Sequence, residues 1–237
     1  FGGLNTLNSL HKVIKFFKTF KKNKFIRVIY CPPSTLIRPM TKKLMNSSIE
    51  VGAQNCHEQQ AYGAFTGSVN SAMLKSVGAK YVIIGHSENR IIGDTNNIIN
   101  LKIKSALKKN LKVIFCIGET LAEKKNKKTN LILKSQISQG LKNINKNNNI
   151  IFAYEPVWSI GTGKVLTNKE LTKQVIIIKK IIKNKFKNQK TKIIYGGSVN
   201  NQNINNLKQI KEINGFLIGG ASQNSKKFID IIKKTIN

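Results

Sequence analysis

Short apolar runs alternate with longer amphipathic stretches from one end of this chain to the other, and that alternation restricts the fold more than any other feature. An apolar run of about four to eight residues suits a strand buried on both faces, and an apolar stripe recurring every three to four residues suits a helix lying over it. Repeated in order, the pair is a βα unit, and its product is a parallel sheet. Strands are expected over 25–30, 49–52, 80–84, 111–116, 150–154, 191–195 and 215–218, and helices over 8–22, 34–46, 70–77, 95–109, 129–143, 168–187, 203–210 and 224–235. Residues 1–3 then read as the last fragment of an eighth strand, placed first. Eight strand–helix pairs in 237 residues fit a closed α/β barrel, which commonly runs to about 250 residues, better than an open doubly wound sheet, which has fewer strands. The asparagines at 147–149 read as a short turn and no linker stands out, so 1–237 is expected to be one domain.

The formal net charge of +31 raises the question of a polyanionic partner. Nearly all the cations are lysines: Arg27, Arg38 and Arg90 are the only arginines, whereas binding faces recruit arginine for its planar fork. The charge reads as a coating of solvent faces, with weak polyanion binding as the alternative, and no nucleic-acid partner is expected. Either way the field draws in small phosphate anions. No run approaches the roughly 18 apolar residues of a membrane span and no secretory leader is visible, so a cytoplasmic chain with no membrane partner is expected. Because it opens on Phe1 rather than Met, its front is expected to have been trimmed or altered. Cys31, Cys56 and Cys116 and the scattered His11, His57 and His86 offer no disulfide framework and no metal spacing.

In a barrel the working residues stand at the carboxyl ends of the strands. His86 follows the strand at 80–84, either as a catalyst or as a satisfied structural residue. Glu155 follows the strand at 150–154 and precedes Pro156, which aims a partly desolvated carboxylate at the barrel mouth, suited to proton abstraction unless a lysine pairs with it. The segment Ser159-Ile160-Gly161-Thr162-Gly163-Lys164, after the rigid Pro156-Val157-Trp158, reads as a loop that closes over a ligand, or as an ordinary surface loop. Gly196-Gly197-Ser198 and Gly219-Gly220 follow the last two strands, where backbone amides converge on phosphate in many barrels.

Together these segments resemble triosephosphate isomerase over nearly the whole chain. The matching motifs are Val51-Gly52-Ala53-Gln54-Asn55, Gly63-Ala64-Phe65-Thr66-Gly67, Ile84-Gly85-His86-Ser87-Glu88, Cys116-Ile117-Gly118-Glu119-Thr120, Tyr154-Glu155-Pro156-Val157-Trp158, Ile160-Gly161-Thr162-Gly163, Tyr195-Gly196-Gly197-Ser198-Val199 and Gly219-Gly220-Ala221-Ser222, in the family's order. The resemblance implies a (β/α)8 TIM barrel that interconverts dihydroxyacetone phosphate and glyceraldehyde 3-phosphate. It implies Glu155 as the base and a neutral His86 as the group polarising the carbonyl. Gly161, Ser198, Gly219 and Gly220 would bind phosphate, Pro156 to Lys164 would close over it, and no cofactor or metal is needed. It also implies a homodimer in which the loop around Thr66 reaches the neighbouring subunit.

Four positions depart from the family's pattern. The family opens with Asn-Trp-Lys and, one residue later, Asn; matching Leu4-Asn5 to that motif makes Asn5 a substrate-binding residue and puts Gly3 on the lysine. The alternative alignment deletes the three residues, and neither supplies the cation. Ser68 and Asn89 replace a glutamate and an arginine that form an ion pair near the subunit interface, and their joint loss strands no buried charge. Leu166 stands where a smaller hinge residue is usual. The rival reading is therefore a catalytically inactive barrel that binds phosphate compounds or polyanions.

Overall fold

The computed structural model describes residues 3–20, 26–146, 148–187 and 190–236. Six parallel strands, β1 (Ile29–Tyr30), β2 (Glu50–Ala53), β3 (Tyr81–Ile84), β4 (Lys112–Ile117), β5 (Ile150–Tyr154) and β6 (Lys192–Tyr195), pair strictly in chain order. The principal helices are α1 (Gly3–Thr19), α2 (Ile37–Leu44), α3 (Ser71–Ser76), α4 (Ser87–Ile91), α5 (Asn96–Lys108), α6 (Leu121–Lys125), α7 (Thr129–Gly140), α8 (Asn168–Phe186), α9 (Ile204–Leu207) and α10 (Ser225–Ile236). Among the described residues no helix is long and apolar enough to cross a membrane.

Strand alternation sorts the apolar residues into two cores. Val82, Ile84, Val113, Phe115, Phe152, Tyr154 and Tyr195 join the helices in the larger core, while Tyr81, Ile83, Ile114, Cys116 and Ala153 form a smaller cluster with Ile29, Ile151, Ile194 and Leu217. Two packed layers, one between sheet and helices and one inside the curl of the sheet, are what a barrel requires.

Three expectations are corrected at the ends of the sheet. The strand at 25–30 shortens to Ile29–Tyr30, although the Glu50 N–H still donates to the Val28 carbonyl at 2.9 Å; Phe25 lies outside the described residues. The strand at 215–218 shrinks to a bridge between Tyr195 and Phe216, flanked by Tyr195 N–H to Gly215 O at 3.0 Å and Leu217 N–H to Tyr195 O at 2.8 Å. Each of these segments has a ladder partner on one side only among the described residues. Residues 1–2 of the expected opening strand lie outside the described residues, and Gly3 does not end a strand but opens α1. Leu7, Leu10, Val13 and Phe17, spaced at three or four, bury one stripe of that helix, which packs on α10 and touches the 3-10 turn Gly220–Gln223. An apolar stripe that starts at Leu7 extends the helix forward of the expected 8–22.

Candidate active site

Strand register decides who surrounds Glu155. Tyr154 pairs with Ile117 on one side and Tyr195 on the other, so Glu155 emerges one step later between Gly118 and Gly196. Both neighbours must be glycine for lack of space. A Cβ on Gly118 would overlap the Glu155 carbonyl oxygen, and one on Gly196 would stand 2.6 Å from Glu155 Cγ. The Glu155 N–H donates to the Ile117 carbonyl at 2.8 Å and the Gly196 N–H to the Tyr154 carbonyl at 2.9 Å, carrying the ladder to the site's edge. Gln136 of α7 secures the Gly118 turn twice, donating to its carbonyl and accepting from its N–H, both at 2.9 Å.

Glu155 is 2% exposed, and its Oε2 has no hydrogen-bond partner among the described residues. Burial pushes the carboxyl up to about 8, with the Cys116 thiol and the Arg90 guanidinium pulling partway back. Arg90 donates to the Gly85 carbonyl at 2.7 Å, to Asn96 Oδ1 at 2.8 Å and to the Cys116 carbonyl at 3.2 Å. It therefore adds positive charge beside the site while binding β3, β4 and α5 together.

His86 caps α4. The Glu88 N–H donates to His86 Nδ1 at 3.3 Å, so in the neutral ring the proton sits on Nε2. That Nε2 faces Glu155 Oε1 at 3.8 Å. Burial lowers the imidazole's basicity, the nearby Glu88 only partly opposing it, and raises the Glu155 carboxyl, so both shifts favour the neutral forms across this contact. The separation exceeds a hydrogen bond and leaves each group free to engage a third.

The segment expected to close over a ligand lies against β6 and the loop that follows it. Trp158 ends up against Glu119, donating from Nε1 to Oε1 at 3.0 Å, with Lys124 Nζ 3.7 Å from the ring centroid. Tyr154 donates its hydroxyl to Glu119 Oε2 at 3.2 Å. Glu119 is 1% exposed and burial raises its carboxyl, against the pull of these donors. Gly163 N–H donates to Ser198 Oγ at 3.1 Å, and that hydroxyl donates to the Ser159 carbonyl at 2.8 Å. Thr162 Oγ1 donates to the Trp158 carbonyl at 3.1 Å and accepts from the Lys164 N–H at 3.2 Å. Pro156 and Val157 lead into a 3-10 turn ending at Ser159, Ile160 follows, and Gly161 and Gly163 take φ of 70° and 75°. Because Tyr195 pairs with Phe216, Ser198 and Gly219 each stand three residues past a paired position; Gly220 opens the next 3-10 turn.

Other expected residues sit apart from this cluster. Asn5 is exposed on α1. Thr66 is exposed in a turn closed by Ser68 N–H to Phe65 O at 3.0 Å. Asn89 Oδ1 accepts from Asn55 Nδ2 at 3.0 Å, and Asn55 Oδ1 accepts from Lys102, which holds Asp94 at 2.7 Å. Leu166 is buried in the larger core. The sequence reading missed the roles of Arg90, Gln136 and Glu119, of which only Glu119 stood in a quoted motif, just past the end of β4 as Glu155 is past β5.

Proton transfer between neighbouring atoms of one small molecule, an isomerase's task, is the chemistry that a dry carboxyl facing a proton-bearing imidazole fits. The family model described as triosephosphate isomerase matches residues 4–235. A triosephosphate isomerase of Thermodesulfovibrio yellowstonii is 44% identical over 205 residues, 85% of this chain and 83% of its own. That of Dictyoglomus thermophilum is 40% identical over 225 residues, 92% of this chain and 90% of its own. A crystal structure of the Bartonella henselae triosephosphate isomerase superposes with a TM-score of 0.88 at 32% identity, covering 98% of this chain and 93% of its own. The chain has the TIM-barrel fold and belongs to the triosephosphate isomerase family.

Proposed function

We propose that the chain, working throughout 1–237 as one catalytic domain, interconverts dihydroxyacetone phosphate and glyceraldehyde 3-phosphate through an enediolate. The observation that carries this is the facing of Glu155 and His86, with Oε2 of the carboxyl unpartnered and Nε2 bearing the imidazole's proton. Glu155, once ionised, takes a proton from the carbon beside the carbonyl, and His86 donates from Nε2 to the oxygen on which charge develops. Glu155 then returns the proton to the adjacent carbon while His86 regains its Nε2 proton from the neighbouring hydroxyl, so one hydrogen passes between the carbons and one between the oxygens. Backbone N–H groups of Gly161, Gly219 and Gly220, with the Ser198 turn beside them, hold the phosphate while the Pro156–Lys164 segment excludes water.

A homodimer in the cytoplasm is the assembly this reading calls for. Tyr62 and Phe65 in the loop around Thr66, and Ile91 and Ile92 at the end of α4, are exposed apolar side chains of the kind a partner covers. Asn5, on α1, is counted with the substrate-binding residues by sequence match alone.

Gly3, the residue that the ungapped match puts at the family's lysine, opens α1 and carries no charge. Loss of one preorganised charge of this kind lowers turnover by roughly 10²–10³. The test is a coupled isomerase assay on the purified chain, its Glu155→Gln variant and a form with Asn-Trp-Lys inserted before Leu4. Turnover that vanishes with Glu155→Gln and rises with the insertion supports the reading. No turnover in any folded, dimeric form would replace it with the inactive phosphate-binding barrel.

A further inference from the structure

Ser159 is fully buried, although it belongs to the loop that must move. Its hydroxyl donates to the Lys164 carbonyl at 2.5 Å. A hydroxyl has one proton to give and two acceptor sites, so its remaining contacts must be donors toward it. They are the Tyr195 hydroxyl at 3.2 Å and the Ser198 N–H at 3.4 Å. One oxygen therefore joins the first residue of the 159–164 segment to the last, to the end of β6 and to the Ser198 turn. The packing around it is tight: a Cβ on Gly197 would overlap the Tyr195 hydroxyl and stand 2.6 Å from Ser159 Oγ. A hole left by deleting this one oxygen is too small for water to replace it, so its partners would go unsatisfied while the loop is down.

We propose that the Ser159 hydroxyl is a positioning group for the closing loop, fastening both ends of 159–164 to Tyr195 and the Ser198 turn and thereby strengthening the hold on a triose phosphate. This rests on the anion site proposed above. Lifting the loop exposes Lys164 O, Tyr195 OH and Ser198 N–H to water, which satisfies them, so the bonds favour the closed form only as far as they exceed those to water. The gain appears in ligand affinity, because a bound phosphate keeps the loop down.

The experiment measures the dissociation constant of 2-phosphoglycolate by calorimetry, and proteolysis within 159–164 with and without it, for the unaltered chain, Ser159→Ala, Tyr195→Phe and the double variant. Ser159→Ala is expected to weaken binding about ten-fold and to lose most of the ligand's protection, with ligand-free melting temperature unchanged. Tyr195→Phe is expected to weaken binding about three-fold, and the double variant less than the thirty-fold product, because both delete one shared bond. Affinity within two-fold of the parent in Ser159→Ala, strictly multiplicative losses, or a fall in ligand-free melting temperature that accounts for the affinity loss would each overturn the proposal. If the unaltered chain neither binds 2-phosphoglycolate nor gains protection, the anion site itself is wrong and the latch falls with it.

Discussion

Two buried glutamates stand just past the ends of neighbouring strands, Glu119 beyond β4 and Glu155 beyond β5, 1% and 2% exposed. Burial raises both carboxyls, yet their surroundings differ in kind. Glu119 accepts from Trp158 and Tyr154, so its oxygens are occupied by the protein itself. Glu155 keeps one oxygen without a partner and faces an imidazole across a gap. A satisfied buried carboxyl is a fastening point, whereas an unsatisfied one is a reagent whose partner arrives from outside. The same residue type at the same topological place thus has its hydrogen bonds closed in one case and, on the proposed reading, kept open for chemistry in the other.

The largest effect expected from this contrast is on turnover. Glu155→Gln removes the proposed base and should lower kcat by about 10²–10⁴, with 2-phosphoglycolate affinity changed far less, as steady-state kinetics and calorimetry would read. Glu119→Gln keeps an acceptor for one donor only, and kcat/KM should fall by about ten-fold. Equal losses from the two substitutions would erase the distinction.

pH separates the pair next. Glu155 is raised from an ordinary 4.5 to about 8, so the native state favours the protonated form. Its contribution to stability is fully present below about 4.5 and is lost as pH rises through 8. Glu155→Gln lacks that loss, so its melting temperature relative to the parent should climb by a few degrees between pH 5 and pH 9, as thermal denaturation would show. The acid limb of kcat/KM should likewise lie above the ordinary carboxylate range. The smallest effect belongs to the fastening side: Trp158→Phe removes the bond to Glu119 and should cost about two- to ten-fold in kcat/KM.

Several of these features could be read from the chain before any coordinates. The expected strands at 111–116 and 150–154 agree with β4 and β5 to within a residue at each end, because continuous apolar runs bounded by polar residues are unambiguous when buried on both faces. The ends of the sheet were harder. How much of 25–30 or 215–218 counts as strand depends on a neighbour on the far side, which local pattern does not encode. The placement of His86 and Glu155 just past their strands was legible, and the structure brings them face to face. Glu119's role was not, since its donor Trp158 lies 39 residues away along the chain. Likewise Arg90 reads as a surface cation until its three acceptors on β3, β4 and α5 are seen.

The glycines around the mouth divide into two kinds, and a saturation library would tell them apart. Gly118, Gly196 and Gly197 are filled places, where any side chain strikes Glu155, Tyr195 or Ser159. There selection for folding alone would return glycine. At Gly219 and Gly220 no described atom lies within 4 Å of the place a Cβ would take, so the empty protein would accept many residues there. On the proposed phosphate site, only selection in the presence of substrate would restrict them, because the room they leave would be the ligand's. Diversity recovered under the two regimes would then outline the bound anion from sequencing alone, as a silhouette of positions tolerant until the substrate is present.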